Sequence, residues 1–204
     1  MRSCGLVIMD AGPLIKLALV NQLDLLLSFD TRIYIPDEVL FEAAEKFAWE
    51  HGTKPTKDKV YLLSWVKAQK AKGTVAIPAT LIGEAAKGKR DRGEFTASNH
   101  KRHTGELAAH EFFNHREEWG HPGEAAVLLM DDRPQMESVR IQNLDVHILS
   151  TFSLLIALQN SKILSSAEAV WNGIAAAMPT APKLQHDKSV RGDTEYRSLL
   201  RKRP

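Results

Sequence analysis

The sequence predicts an α/β protein: a three-layer α/β/α sandwich around a mainly parallel central sheet of about five strands. Three observations lead there. Gly5-Leu6-Val7-Ile8-Met9 and Ala125-Ala126-Val127-Leu128-Leu129-Met130 are short apolar runs without polar alternation, the pattern of strands covered on both faces. Segments with helical spacing separate such runs in short alternation, as parallel strands with helical crossovers require. Both runs also end in aspartate, Asp10 in the first and the pair Asp131-Asp132 in the second. A carboxylate at the end of a buried strand falls where open α/β sheets gather their chemistry.

The elements follow in order. Behind the first strand, residues 13–19 and 22–29 read as a leucine-rich helical pair, and residues 32–35 as a short strand. Pro36 opens a helix through residue 47, with Asp37 and Glu38 near the positive end of its dipole. Residues 57–71 read as an amphipathic helix carrying Val60, Leu63, Trp65 and Val66; Gly73 ends it, and residues 74–77 form the next strand, closed by Pro78. In residues 83–103, Gly83, Gly88 and Gly93 interrupt a polar, basic stretch, which predicts a long loop. Thr104 caps a helix running to residue 116, and residues 120–123 turn the chain into the second Asp-ended strand. A helix over 133–143, a fifth strand over 146–149 and an apolar helix over 151–159 come next. Ser165 and Glu168 form a capping box for a last helix through residue 178. The expected organisation is a single domain over residues 1–179 with a basic inserted loop at about 83–103, then a basic C-terminal arm or disordered tail over 180–204.

The chain has 204 residues, 44% hydrophobic and 25% charged, enough for one domain with a sizeable core. Its only cysteine, Cys4, excludes an intrachain disulfide and points to a reducing compartment. No apolar stretch is long enough for a membrane helix, and Asp10 interrupts any signal-peptide core, so a cytoplasmic protein without membrane association is expected. The net charge of +2 says little by itself. Its distribution says more: Lys87, Lys89, Arg90, Arg92, Lys101 and Arg102 crowd one stretch, and the chain ends in Arg201-Lys202-Arg203-Pro204. Such clusters either bind phosphate backbones or are simply solvated.

Four segments, in order, resemble the PIN-domain family. Val7-Ile8-Met9-Asp10 with Ala11-Gly12-Pro13-Leu14-Ile15 is similar to its opening motif, and Ile35-Pro36-Asp37-Glu38-Val39-Leu40-Phe41-Glu42 to its second. Thr104-Gly105-Glu106-Leu107-Ala108-Ala109 resembles its Gly-Glu helix start, and Leu128-Leu129-Met130-Asp131-Asp132-Arg133 its final strand-end aspartate. Leu149-Ser150-Thr151-Phe152 resembles the Gly-Thr turn of a subgroup related to VapC-type toxins, with Ser150 in place of the glycine. The resemblance implies a metal-dependent endoribonuclease, the toxin of a toxin–antitoxin pair, with Asp10, Glu42, Glu106 and Asp132 as catalytic carboxylates. RNA, an antitoxin protein and a second copy in a homodimer are the implied partners.

Elementary chemistry agrees with that set. Carboxylates converging on one edge repel one another and raise one another's pKa, and Mg²⁺ or Mn²⁺, a hard cation taking oxygen ligands, relieves the conflict. The expected metal ligands are Asp10, Glu42, Glu106, Asp131 and Asp132, with Asp131 supporting or sharing the role of Asp132. Glu38 and Glu45 compete with Glu42 on one helix, and Glu124, also after a glycine, competes with Glu106. Lys89, Arg90, Arg92, Lys101, Arg102, Arg133 and Thr151 are the expected substrate contacts; Thr151 would alternatively orient a carboxylate or cap a helix. The scattered histidines match no zinc spacing, and no Walker loop or dinucleotide fingerprint occurs. A PIN-like RNA- or protein-binding module with weak catalysis is the alternative, favoured by Met130 before the Asp pair and by Ser150.

Overall fold

The computed structural model describes residues 4–95, 104–118, 125–131 and 146–178. Strands β1 (Cys4–Met9), β2 (Arg32–Tyr34), β3 (Val75–Ala76), β4 (Ala125–Leu129) and β5 (Val146–Leu149) form one sheet in the order β3-β2-β1-β4-β5. Every pairing is parallel. β1 is central, and Leu6, Val7, Ile8 and Met9 are all completely buried, as a strand covered on both faces requires. The predicted α/β fold is therefore present.

The strand order sets where the chemistry goes. From β1 the chain builds outward through β2 and β3, then returns to add β4 and β5 on the other side. Right-handed crossovers place the helices of these two excursions on opposite faces. They also make the gap beyond β1 and β4 the topological switch point, where open sheets bind ligands at the carboxyl ends of their strands.

The helices are α1 (Ala11–Leu19), α3 (Lys57–Ala71), α4 (Leu81–Asp91), α5 (Thr104–Asn114), α6 (Thr151–Asn160) and α7 (Ala167–Ala177). Between α1 and α3 lies α2, three segments without a break: α-helix Asp37–Leu40, π-helix Phe41–Glu45 and α-helix Lys46–His51. A 3₁₀ segment, Leu23–Ser28, follows α1 and is tied to α3 by Trp65 Nε1, which donates to Asp24 Oδ1 at 2.8 Å.

Three expectations are corrected. Residues 83–91 belong to α4 and are not loop. The hydroxyl of Thr80 accepts from the Gly83 N–H at 2.9 Å, and the Glu111 carboxylate accepts from the Leu81 and Ile82 N–H groups at 2.7 and 2.9 Å. With the Thr80 N–H donating to Asp37 Oδ2 at 3.3 Å, the four donors a helix start leaves unsatisfied are met. Gly83 is no breaker here: a Cβ on it would run into the Asp37 carboxylate, so glycine is what lets α4 approach α2. In α3, Leu62, Trp65, Val66 and Gln69 make the buried face, and Val60, off that stripe, is exposed. The last helix is capped by Ser166, whose Oγ accepts from the Ala169 N–H at 3.1 Å, and not by Ser165. The helix expected over 133–143 and the arm over 180–204 lie outside the described residues. Among the described residues, no helix is long and apolar enough to cross a membrane.

Candidate active site at the switch point

β1 delivers Asp10 directly to the switch point. Its N–H donates to the Leu129 carbonyl at 2.9 Å, continuing the β1–β4 ladder, and its extended backbone leads into α1. The residue is 7% exposed. Burial pushes its carboxyl from the ordinary 3.8 up to about 7; the charges of Glu106 and Asp131 push the same way, while the Ala11 and Gly12 amides pull it back in part. The charges of two further carboxylates, one from α5 and one from just beyond β4, thus reach Asp10.

Asp131 stands just beyond β4, where Met130 N–H donates to the Leu149 carbonyl at 3.0 Å and holds the strand end against β5. Its Oδ1 accepts from the Thr151 N–H at 2.8 Å. Its Oδ2 accepts from the Thr151 hydroxyl at 2.7 Å and from Lys16 Nζ at 2.8 Å. Gly12 lies between the two aspartates: a Cβ there would be 3.4 Å from Asp131 Oδ2 and 3.6 Å from Asp10 Oδ2. Both oxygens therefore border one small space that a larger residue would fill.

Glu42 enters from α2, inside the π-helical segment, a distortion that often marks functional positions. Its Oε1 is 3.1 Å from the Thr104 hydroxyl and 3.6 Å from Lys46 Nζ. A Cβ on Gly105 would lie 2.5 Å from Glu42 Oε2, so the glycine of the Gly-Glu pair exists here to let that carboxylate seat on the start of α5. Thr104 Oγ1 is also 3.1 Å from Glu38 Oε1. One hydroxyl proton cannot serve both acids. Glu38, 1% exposed, already accepts both arms of the Arg90 guanidinium, at 2.7 and 2.8 Å, which leaves the Thr104 proton for Glu42.

The expected residues divide as follows. Asp10, Glu106 and Asp131 come together electrostatically, and Glu42 lies against Gly105, the neighbour of Glu106. Asp132, Glu124, Lys101, Arg102 and Arg133 lie outside the described residues. Arg90 forks Glu38 and stacks 3.7 Å above the Phe41 ring, so its guanidinium is engaged within the fold. Arg92 is exposed but paired with Glu94, and Lys89 is exposed beside Phe95. Thr151 is fully buried with its hydroxyl committed to Asp131, the carboxylate-orienting alternative and not a substrate contact; the cap of α6 is Ser150, whose Oγ accepts from the Ser153 N–H at 3.1 Å. Sequence reasoning missed Lys16. Its signal was there, a lone charge in an otherwise apolar helix, AGPLIKLAL.

Among the described residues, the acidic side chains at this edge offer carboxylate oxygens, which suit Mg²⁺ or Mn²⁺ in kind. Among the described residues, no three His, Cys, Asp or Glu side chains are gathered closely enough to hold a metal ion. A parallel sheet with acids at its switch point defines an α/β protein with an acidic edge. Residues 6–85, the segment with Asp10 and Glu42, match a family model described as a PIN domain. No curated protein and no solved structure matches it.

Proposed function

We propose that this protein is a metal-dependent endoribonuclease that hydrolyses RNA phosphodiester bonds at the switch-point carboxylates. The observation that carries this is the shared space beside Gly12, bordered by oxygens of Asp10 and Asp131, with the buried Asp10 carboxyl held up to about 7 partly by Glu106. Such a site gains from a cation. Asp10 and Glu106 would hold a Mg²⁺ or Mn²⁺ ion, with Glu42 and Asp132 as the further expected ligands and Asp131, already paired with Lys16, in a supporting place. When bound, the ion supplies positive charge for the attacked phosphate and acidifies a water. The chain's own residues do the rest. Thr104 and Gly105 fix the Glu42 carboxylate, Thr151 fixes Asp131, and the burial of Asp10 keeps bulk water from screening its charge. Exposed Lys89, with Lys101, Arg102 and Arg133, would steer the RNA backbone toward the acidic edge. A toxin role with a cognate antitoxin and a homodimeric assembly are part of this proposal through the family resemblance alone.

The test is cleavage of a mixed structured RNA pool in Mg²⁺, Mn²⁺ or EDTA, with Asp10→Asn alongside. Cutting should need the metal and fall about a hundredfold or more in the variant, at ~1.4 kcal/mol per tenfold. Undiminished cutting by folded Asp10→Asn would remove Asp10 from the chemistry. One observation favours the second reading, a binding module: Asp131 already has three donors from its own chain, including an ammonium. That reading expects RNA binding insensitive to metal, without cleavage.

A further inference from the structure

Lys16 has no part in the chemistry proposed so far, yet it is a cation held within the site, against Asp131. It is the only charged residue of α1, and its side chain is 16% exposed, with Nζ 2.8 Å from Asp131 Oδ2 and 5.8 Å from the centroid of the Trp171 ring. The ring and the apolar helix restrict where that ammonium can go, so it is a fixed charge and not a waving surface lysine. The two aspartates beside Gly12 are consequently unlike. Asp131 has an ammonium and two donors from Thr151. Asp10, more deeply set, meets the negative charges of Glu106 and Asp131. A divalent ion approaching Asp131 Oδ2 would meet Lys16 at close range and be repelled, whereas at Asp10 it would relieve a conflict.

We propose that Lys16 is a positioning residue that serves as the built-in counter-cation of Asp131, lowering the affinity of the site for divalent metal and directing the ion toward Asp10. The inference rests on the metal-dependent function proposed above and names what tunes it.

The experiment is calorimetric titration of Mn²⁺ into the full chain, as wild type, Lys16→Gln and Lys16→Arg, with thermal unfolding recorded for each. Glutamine keeps a donor for Asp131 but removes the charge; arginine keeps the charge. The glutamine variant should bind Mn²⁺ about tenfold more tightly, the order expected when one nearby charge is removed under water-like screening, and the arginine variant should match wild type. A lysine that only braced the fold would leave Mn²⁺ affinity unchanged or weaker in Lys16→Gln, and that result overturns the inference while leaving the nuclease standing. Absence of Mn²⁺ binding by wild type overturns both. Lys16→Met, neutral and similar in stem, repeats the test should the glutamine variant not fold; failure of both neutral variants to fold would make the charge a requirement of folding and count against a tuning role.

Discussion

At Asp10, burial and two neighbouring carboxylates act in the same direction, so the folded protein holds a proton that the unfolded chain releases at much lower pH. The carboxyl titrates at about 7 in the fold against an ordinary 3.8. Below pH ~4 both states are protonated and this group has no effect on stability. Between pH ~4 and ~7 the native state binds the extra proton, so stability falls as pH rises through that window, then levels off. At ~1.4 kcal/mol per pKa unit, the loss reaches up to about 4 kcal/mol, an upper value because an opened site would admit water. Asn at this position carries no charge at any pH and can still accept from the amides at the start of α1. In EDTA, Asp10→Asn should therefore match wild type near pH 4 and exceed it in urea midpoint near pH 8. A variant equally unstable at both values would show that the native carboxylate meets no such penalty. Nothing in the residues next to Asp10 shows this, because Glu106 and Asp131 reach it only through the fold. The sequence marks Asp10 as important by its place at a strand end; its energetics belong to the assembled edge.

At the scale of elements, the π-helical turn in α2 and the glycine at the start of α5 are two halves of one fitting. The extra residue in the turn redirects Glu42, and Gly105 leaves room for its carboxylate. Gly105→Ala gains about 1 kcal/mol of helix propensity but drives a methyl into Glu42 Oε2 and to 3.4 Å from Val39 Cα, so global stability should change little, within roughly 1–2 kcal/mol. Activity should suffer more: displacement of Glu42 is expected to lower RNA cleavage about tenfold or more. Intact folding with intact cleavage would show that Glu42 takes no part in the chemistry. Elements whose signals are local were legible, and the bounds of α3 and β5 follow from amphipathic spacing and from an apolar run. α4 was not, because Gly83 is there for a reason 46 positions away in the chain, the carboxylate of Asp37. A glycine that breaks a helix and one that admits a neighbour look the same in sequence.

For the whole molecule, the candidate site exists only when both excursions of the chain have closed on β1: Lys16 reaches Asp131 across a separation of 115 residues. The order of strand-end acids was legible because each acid ends or begins an element; the partners that hold them were not, because a side chain does not announce what it meets. Arg90 shows the cost of this. Within its basic neighbourhood it reads as a substrate contact, while in the fold it crosses from α4 to α2 and neutralises a glutamate that is 1% exposed. Breaking such a pair from one side leaves a buried charge without compensation, about 3–5 kcal/mol, whereas replacing both partners by apolar residues is often close to neutral. A domain of this kind has roughly 5–15 kcal/mol in all, so Arg90→Met should lose a large share of it and unfold at markedly lower urea. Glu38→Met should cost less, since arginine at the rim of the cavity beside Phe41 and Trp49 can turn toward water. The double variant Glu38→Met with Arg90→Met should recover most of the loss, giving a strong favourable coupling in the cycle. RNA binding separates the structural role from the one its neighbours suggest. If the recovered double variant binds RNA as wild type does, Arg90 serves the fold; if it is stable but binds RNA severalfold more weakly with a shallower salt dependence, Arg90 reaches the phosphate backbone and the ion pair with Glu38 opens to let it do so.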